Sequence, residues 1–140
     1  MKANELMIGD WVRIKDMKDP IKRISCIDEY LGVVDFWDGE KCIVTSINNV
    51  LPIPLTGEIL VRNKFRKNDI EYIYQNIAND GCVHVMLLDT ECGTWDITIK
   101  DYNKFEDNQT VLFKANGVFL HLHELQHSLR LCGIEKEIEL

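Results

Sequence analysis

Turn signals punctuate this chain at short intervals, and they leave little room for anything but short strands and brief helices. Gly9-Asp10, Asp19-Pro20, Asp38-Gly39, Asn79-Asp80-Gly81, Glu91-Cys92-Gly93 and Asn116-Gly117 each place Gly, Asn, Asp or Pro where a chain must reverse. Such residues accept left-handed backbone, or preset φ, at little steric cost. The runs between them alternate apolar and polar side chains in the period-two manner of a half-buried strand. Neighbouring strands joined by short turns are antiparallel, because a parallel pair needs a crossover of a dozen or more residues.

Three stretches follow from this punctuation. Residues 1–50 form a small β-rich module, with strands expected at Trp11–Ile14, Ile21–Ile27, Tyr30–Trp37 and Lys41–Ile47 and a hairpin at Asp38-Gly39. Several short strands in fifty residues suggest a small curled sheet or Tudor-like barrel. Residues 51–67 are a connector and helix. Pro52 and Pro54 remove ladder donors, so Leu51 to Leu55 reads as an extended link. Thr56 then caps a helix running to about Phe65, with Ile59, Leu60 and Phe65 facing inward and Arg62, Lys64, Arg66 and Lys67 at its C-terminal end, where cations complement the helix dipole.

Residues 68–140 read as an antiparallel β meander closed by a C-terminal helix. Its strands are Ile70–Ile77, Cys82–Asp89, Thr94–Lys100, Thr110–Ala115 and Val118–Leu122, the last two joined at Asn116-Gly117, the strongest hairpin signal in the chain. Leu122, Leu125, Leu129 and Cys132 share one helical face, and Gly133 supplies a left-handed stop. Glu135, Glu137 and Glu139 follow as a solvated acidic tail. The expected class is α+β, and the three stretches can pack as one domain.

Charge and cysteine usage narrow the function classes. Residues 1–67 carry eleven Lys/Arg against ten Asp/Glu, whereas residues 68–140 carry five against thirteen. The acidic second part repels a polyanion, so nucleic acid is left open only for the first. No apolar run is long enough for a membrane span or a signal peptide, which points to a cytoplasmic protein. Cys26, Cys42, Cys82, Cys92 and Cys132 contain no CxxC pair and are scattered, so reduced and mostly buried thiols are expected. His84 shares a strand face with Cys82, the weak beginning of a thiol–imidazole pair. Trp11, Trp37 and Trp95, with Arg13 and Lys15, could form a stacking platform, although tryptophans on short strands more often serve the core.

One segment spells a chemistry. His123-Glu124-Leu125-Gln126-His127 fits the pattern in which two histidines one helical turn apart bind zinc and the glutamate acts as general base. At 100° per residue both histidines turn away from the Leu125/Leu129 stripe, toward solvent or another module. A peptidase zinc also needs a third protein ligand. Glu135 or Glu137 would have to fold back past Gly133 to provide it, and His84 and His121 lie on expected strands with no reason to converge. The segment therefore reads as polar helix positions that match by coincidence.

Three short stretches together carry a resemblance. They are Ile8-Gly9-Asp10-Trp11-Val12, Pro52-Ile53-Pro54-Leu55-Thr56, and His123 to His127 followed by Leu129 and Gly133. In combination the chain resembles a group of small uncharacterised proteins encoded by gut Bacteroidales, often in prophage or other mobile DNA. The resemblance implies no established activity, and it implies that Gln or Asn is tolerated at the positions of Glu124 and His127, which zinc ligation would not allow.

The expected function is a non-enzymatic cytoplasmic accessory protein that acts by binding a protein partner or by self-association, with no cofactor, no catalytic residue and no membrane. Two rivals make distinct demands. A zinc hydrolase would use His123 and His127 as ligands and Glu124 as base. A nucleic-acid-binding module would use Arg13, Lys15, Lys22 and Arg23 of the first module together with the 62–67 cluster.

Overall fold

A computed structural model describes all residues except 1, 79–80, 91–92, 104–107 and 119. The fold is α+β and dominated by two antiparallel five-stranded sheets, one in each of two units. The first unit comprises Met1–Ile53 with His121–His123, and the second Pro54–Leu120 with Glu124–Leu140.

The first sheet is built from β1 (Trp11–Ile14), β2 (Ile21–Asp28), β3 (Val33–Asp38), β4 (Lys41–Ser46) and β5 (Val50–Leu51), in the order β4-β3-β2-β1-β5. The Asp38-Gly39 hairpin forms as expected: Asp38 pairs with Lys41 around a two-residue loop, and Gly39 takes φ 63°. The strand expected from Tyr30 starts later, at Val33. Asp28 accepts a hydrogen bond from the Leu31 amide at 2.9 Å and Gly32 takes φ 65°, which fixes residues 29–32 as a turn instead. Leu6, Val12, Ile14, Ile24, Val34, Phe36 and Val50 make the core of this unit, with Met17, Ile27, Ile43 and Ile47 packed against it. The alternation that put Val12 and Ile14 inside follows directly from the strand period.

The Ile8-Gly9-Asp10 turn clips the N-terminal segment to β2. Gly9 and Ile24 are joined by a 2.7 Å backbone bond, Asp10 accepts from the Met7 amide at 2.7 Å, and the Arg23 guanidinium donates to the Gly9 carbonyl at 3.0 Å. Asp10 is buried because its carboxylate caps its own turn.

The second unit opens with α1 (Gly57–Arg62), capped by the Thr56 hydroxyl, which accepts from the Ile59 amide. The helix is shorter than expected and ends at Arg62. Lys64 takes φ 66°, the Phe65 amide reaches the Leu60 carbonyl and the Lys64 amide reaches that of Val61. This is a Schellman closure with lysine where glycine is usual. Arg66 and Lys67 consequently lie on β6 (Arg66–Asn68), not at the helix end. Leu60 is buried and Ile59 half-buried, as their helical spacing predicts, whereas Phe65 is buried beyond the end of the helix.

The second sheet adds β7 (Glu71–Ala78), β8 (Gly81–Asp89), β9 (Trp95–Asn103) and β10 (Asn108–Val118), in the order β10-β9-β8-β7-β6. One face buries Tyr72, Val85, Leu87, Trp95, Ile97 and Ile99. Two expected turns lie partly outside the described residues, at Asn79-Asp80 and at Glu91-Cys92. Asn116-Gly117 is not a hairpin. β10 runs through it to Val118, which pairs with Trp95, while Ala115 pairs with Ile97, so Asn116 and Gly117 together oppose Asp96. Gly117 takes φ 61° and donates its amide to Asp96 at 2.7 Å. The same left-handed glycine that closes a hairpin here makes a β-bulge.

The last helix, α2 (Leu122–Leu131), ends as expected. Gly133 takes φ 70°, and the Ile134 amide reaches back to the Leu129 carbonyl at 2.9 Å. Of the strand expected over Val118–Leu122, Val118 is the last residue of β10 and Leu122 the first of α2. No helix among the described residues is long and apolar enough to cross a membrane.

Candidate functional site

The histidine segment occupies the first half of α2, with His123 its second residue. The helical spacing of His123 and His127 is as expected. Of the two surroundings expected for them, solvent or another module, open solvent is ruled out for His123, which is only 4% exposed, while His127 is half-buried. Leu122, Leu125, Gln126, Ser128 and Leu129 are buried too, so the helix has a wide inner surface and not the single leucine stripe the spacing suggested. The His123 ring stacks on His121 at 5.7 Å between centroids, 14° from parallel.

Among the described residues, no three His, Cys, Asp or Glu side chains are grouped to hold a metal ion, whereas such a site needs three protein ligands and one open position. The chain does fold back past Gly133, and it brings its backbone to Gln126 of α2. Gln126 donates to the Lys136 carbonyl and accepts from the Ile138 amide, both at 2.7 Å, while Glu135 and Glu137 remain exposed. His84 lies on β8, beside Gln75 at 3.2 Å, with its ring centre 4.3 Å from that of Tyr102 and tilted 45° to it. Desolvation, and then the Lys100 cation, push the His84 pKa below its ordinary value of 6.5.

The thiols are not the buried set that was expected. Cys26 and Cys42 are exposed, Cys82 and Cys132 are half-buried, and Cys92 lies outside the described residues. Cys26 and Cys42 sit on the outer face of the first sheet, in register with Asp35 and Trp37.

Of the eight cations proposed for nucleic acid, four are engaged within the fold, and Lys64 and Arg66 are among the exposed ones. Lys22 is buried, and its ammonium holds Asp19 at 2.8 Å and Asp38 at 3.1 Å. Arg23 donates to Gly9 and lies over the Trp11 ring at 6.0 Å. Arg62 pairs with Glu58 at 3.4 Å, and the Lys67 ammonium lies 5.6 Å from the centre of the Tyr72 ring. Arg13 and Lys15 remain exposed. The three tryptophans do not form one platform: Trp11 and Trp37 are on β1 and β3, whereas Trp95 is buried in the second unit against Tyr72.

What the first unit does present is apolar surface beside an edge. Trp37 is 61% exposed and Val44 59%. Trp37 pairs with Cys42 and Asp35 with Val44, so Trp37 and Val44 are diagonal neighbours on the same outer face. β4 ends the sheet, pairs with β3 along its whole length without a bulge, and carries Cys42-Ile43-Val44-Thr45, a run of high strand propensity. An uninterrupted edge of this kind is a template for another strand. Sequence reading had placed Trp37 in a strand but could not tell its outer face from its inner one. That distinction depends on Phe36 and Val34 facing the core.

No protein-family model, no curated protein and no solved structure matches this chain.

Proposed function

We propose that this chain is a non-enzymatic cytoplasmic accessory protein, of the mobile-element kind that its three short motifs resemble, and that it works by protein binding. The first unit is then a small Tudor-like barrel, a reading supported by its strand order and by the 3-10 turn Ile47–Asn49 that leads into β5. The second is a meander closed by α2. The observation that carries the reading is the exposed pair Trp37 and Val44 beside the unbulged β4 edge. A partner strand laid along β4 gains main-chain hydrogen bonds, and its alternate side chains rest on Trp37 and Val44. Tryptophan at the centre of such a contact is the residue type most often decisive for affinity.

The test places a photo-reactive amino acid at Val44 of the intact chain and irradiates the producing cells. The proposal predicts a discrete covalent adduct with one protein, whether a second copy or another chain, and its loss in Trp37→Glu. Adducts no different from those formed at Lys18, an exposed control position, would refute it.

A further inference from the structure

The C-terminal segment of the second unit is held in an unusual way. Residues 134–140 belong to neither sheet, yet their backbone is gripped by two buried side-chain amides. Asn63, which closes α1, donates to the Glu139 carbonyl at 2.7 Å and accepts from the Glu139 amide at 2.8 Å. Gln126, on α2, spans the neighbouring positions by donating to the Lys136 carbonyl and accepting from the Ile138 amide. All four bonds go to main chain, as a neighbouring strand would make them, so what is recognised is an extended peptide.

Side-chain alternation adds selectivity. Ile134 and Ile138 are each 2% exposed, and between them the Lys136 ammonium lies 4.6 Å from the centre of the Tyr74 ring. Glu135, Glu137 and Glu139 point outward. The tail expected to be solvated is thus exposed in its glutamate side chains, while its backbone is held. The groove is also preorganised: the Asn63 amide is oriented by a further bond to the Ile59 carbonyl at 2.9 Å. Removing the segment would strip both buried amides of these bonds, so the groove demands an occupant.

We propose that this groove, bordered by Asn63, Gln126 and Tyr74, is a peptide-binding site for extended segments of the pattern Ile-x-Lys-x-Ile-Glu, filled at rest by the chain's own C-terminus and open to the same segment of a second copy. The occupant is this same segment, because residues 134–140 seated there satisfy every one of these bonds. The tail is joined to α2 through Gly133 alone in left-handed conformation, and a copy arriving in trans remakes identical contacts. Exchange is then decided by effective concentration, not by new chemistry. The inference deepens the protein-binding reading and rests on it for its biological purpose, but it uses a different unit and different residues.

The experiment uses intact chains and a fluorescent synthetic peptide of residues 134–140. In the wild type the resident tail competes, so binding is weak. Ile138→Asp loosens the resident tail, and this variant should bind the peptide at least tenfold more tightly than the wild type. The double variant Gln126→Ala/Ile138→Asp should lose that gain, and a scrambled peptide should not bind. Glu139→Pro, which deletes the amide held by Asn63, provides a second loosened chain should Ile138→Asp not fold. Sedimentation of concentrated wild-type protein should show a dimer that Ile138→Asp lacks. Trp37→Glu should leave peptide binding by the loosened chain unchanged, so failure of the β4 surface and failure of this groove are told apart. A folded loosened chain that binds the peptide no better than the wild type, or binds the scrambled peptide equally, would overturn the proposal, as would wild-type protein that stays monomeric at every concentration.

Discussion

Replacing Gly57 with alanine tests how closely α1 meets the second sheet. A Cβ at this position would fall into the Tyr72 side chain, 2.7 Å from Cζ and 3.1 Å from Cε1, with the hydroxyl nearer still. Gly57 is the first residue of α1, and no left-handed backbone is required there. Alanine would otherwise help, by about 0.4–1 kcal/mol through a less disordered unfolded chain. The contact opposes that gain. Tyr72 is 5% exposed, lies edge-on to Trp95 at 5.6 Å, and is fixed in register between Lys67 and Leu87. Its ring cannot withdraw without disturbing the core, and overpacking of this kind costs about 1–3 kcal/mol. Gly57→Ala should therefore destabilise by about 1–2 kcal/mol, a fall of about 3–8 °C in Tm. Urea unfolding, followed by tryptophan fluorescence, measures the loss. A cycle with Tyr72→Phe isolates its cause: without the hydroxyl, the nearest atom is gone and Gly57→Ala should cost less. A variant as stable as the wild type, or strict additivity in the cycle, would refute the reasoning.

Three further predictions follow from single sites. At the two helix ends the backbone asks for left-handed φ, so Gly133→Ala should destabilise by about 1–2 kcal/mol, while Lys64→Gly should stabilise by up to about 1 kcal/mol, both read from thermal melts. Hydrogen bonds to Asp19 and then Asp38 hold the Lys22 pKa above its ordinary 10.5. Its contribution to stability is complete below 10.5 and disappears as pH rises through the raised folded value. Wild type should lose stability along that climb, and Lys22→Met should be less stable at neutral pH without showing this loss; equal alkaline profiles would contradict the assignment. For His84 the sign is opposite. Its folded pKa lies below 6.5, so the unfolded chain takes up the proton first as pH falls, and stability drops below 6.5. An NMR titration of the ring should show the depressed value, and Lys100→Gln should move it partway back toward 6.5.

Local chemistry made the strands and helix ends legible. Thr56, Asp38-Gly39 and Gly133 each act through a neighbour within a few residues, and each does what its residue type suggests. Asn116-Gly117 was misread because a left-handed glycine serves a hairpin and a bulge equally well. Only the pairing of Val118 with Trp95 separates the two. The anchoring of the tail expected to be solvated is not legible locally because its anchors are remote in sequence: Asn63 reaches Glu139 across 76 positions. Strand alternation shows that Val12 and Ile14 share a face, yet it does not say which face is inner, nor that His123 is buried and Trp37 exposed. Those outcomes depend on tertiary packing, which overrides the local pattern at the candidate site.

The central claim is that Trp37 and Val44 make a protein-binding surface. It is tested most directly by recovering the intact wild type and the Trp37→Glu/Val44→Lys variant from producing cells and quantifying what accompanies each by mass spectrometry. Loss of a decisive interface residue costs about 2 kcal/mol or more, close to thirtyfold in affinity. The account predicts one partner, a second copy included, whose recovery falls by at least tenfold in the variant while its melting temperature holds. Equal recovery of every accompanying protein from the two chains would contradict it.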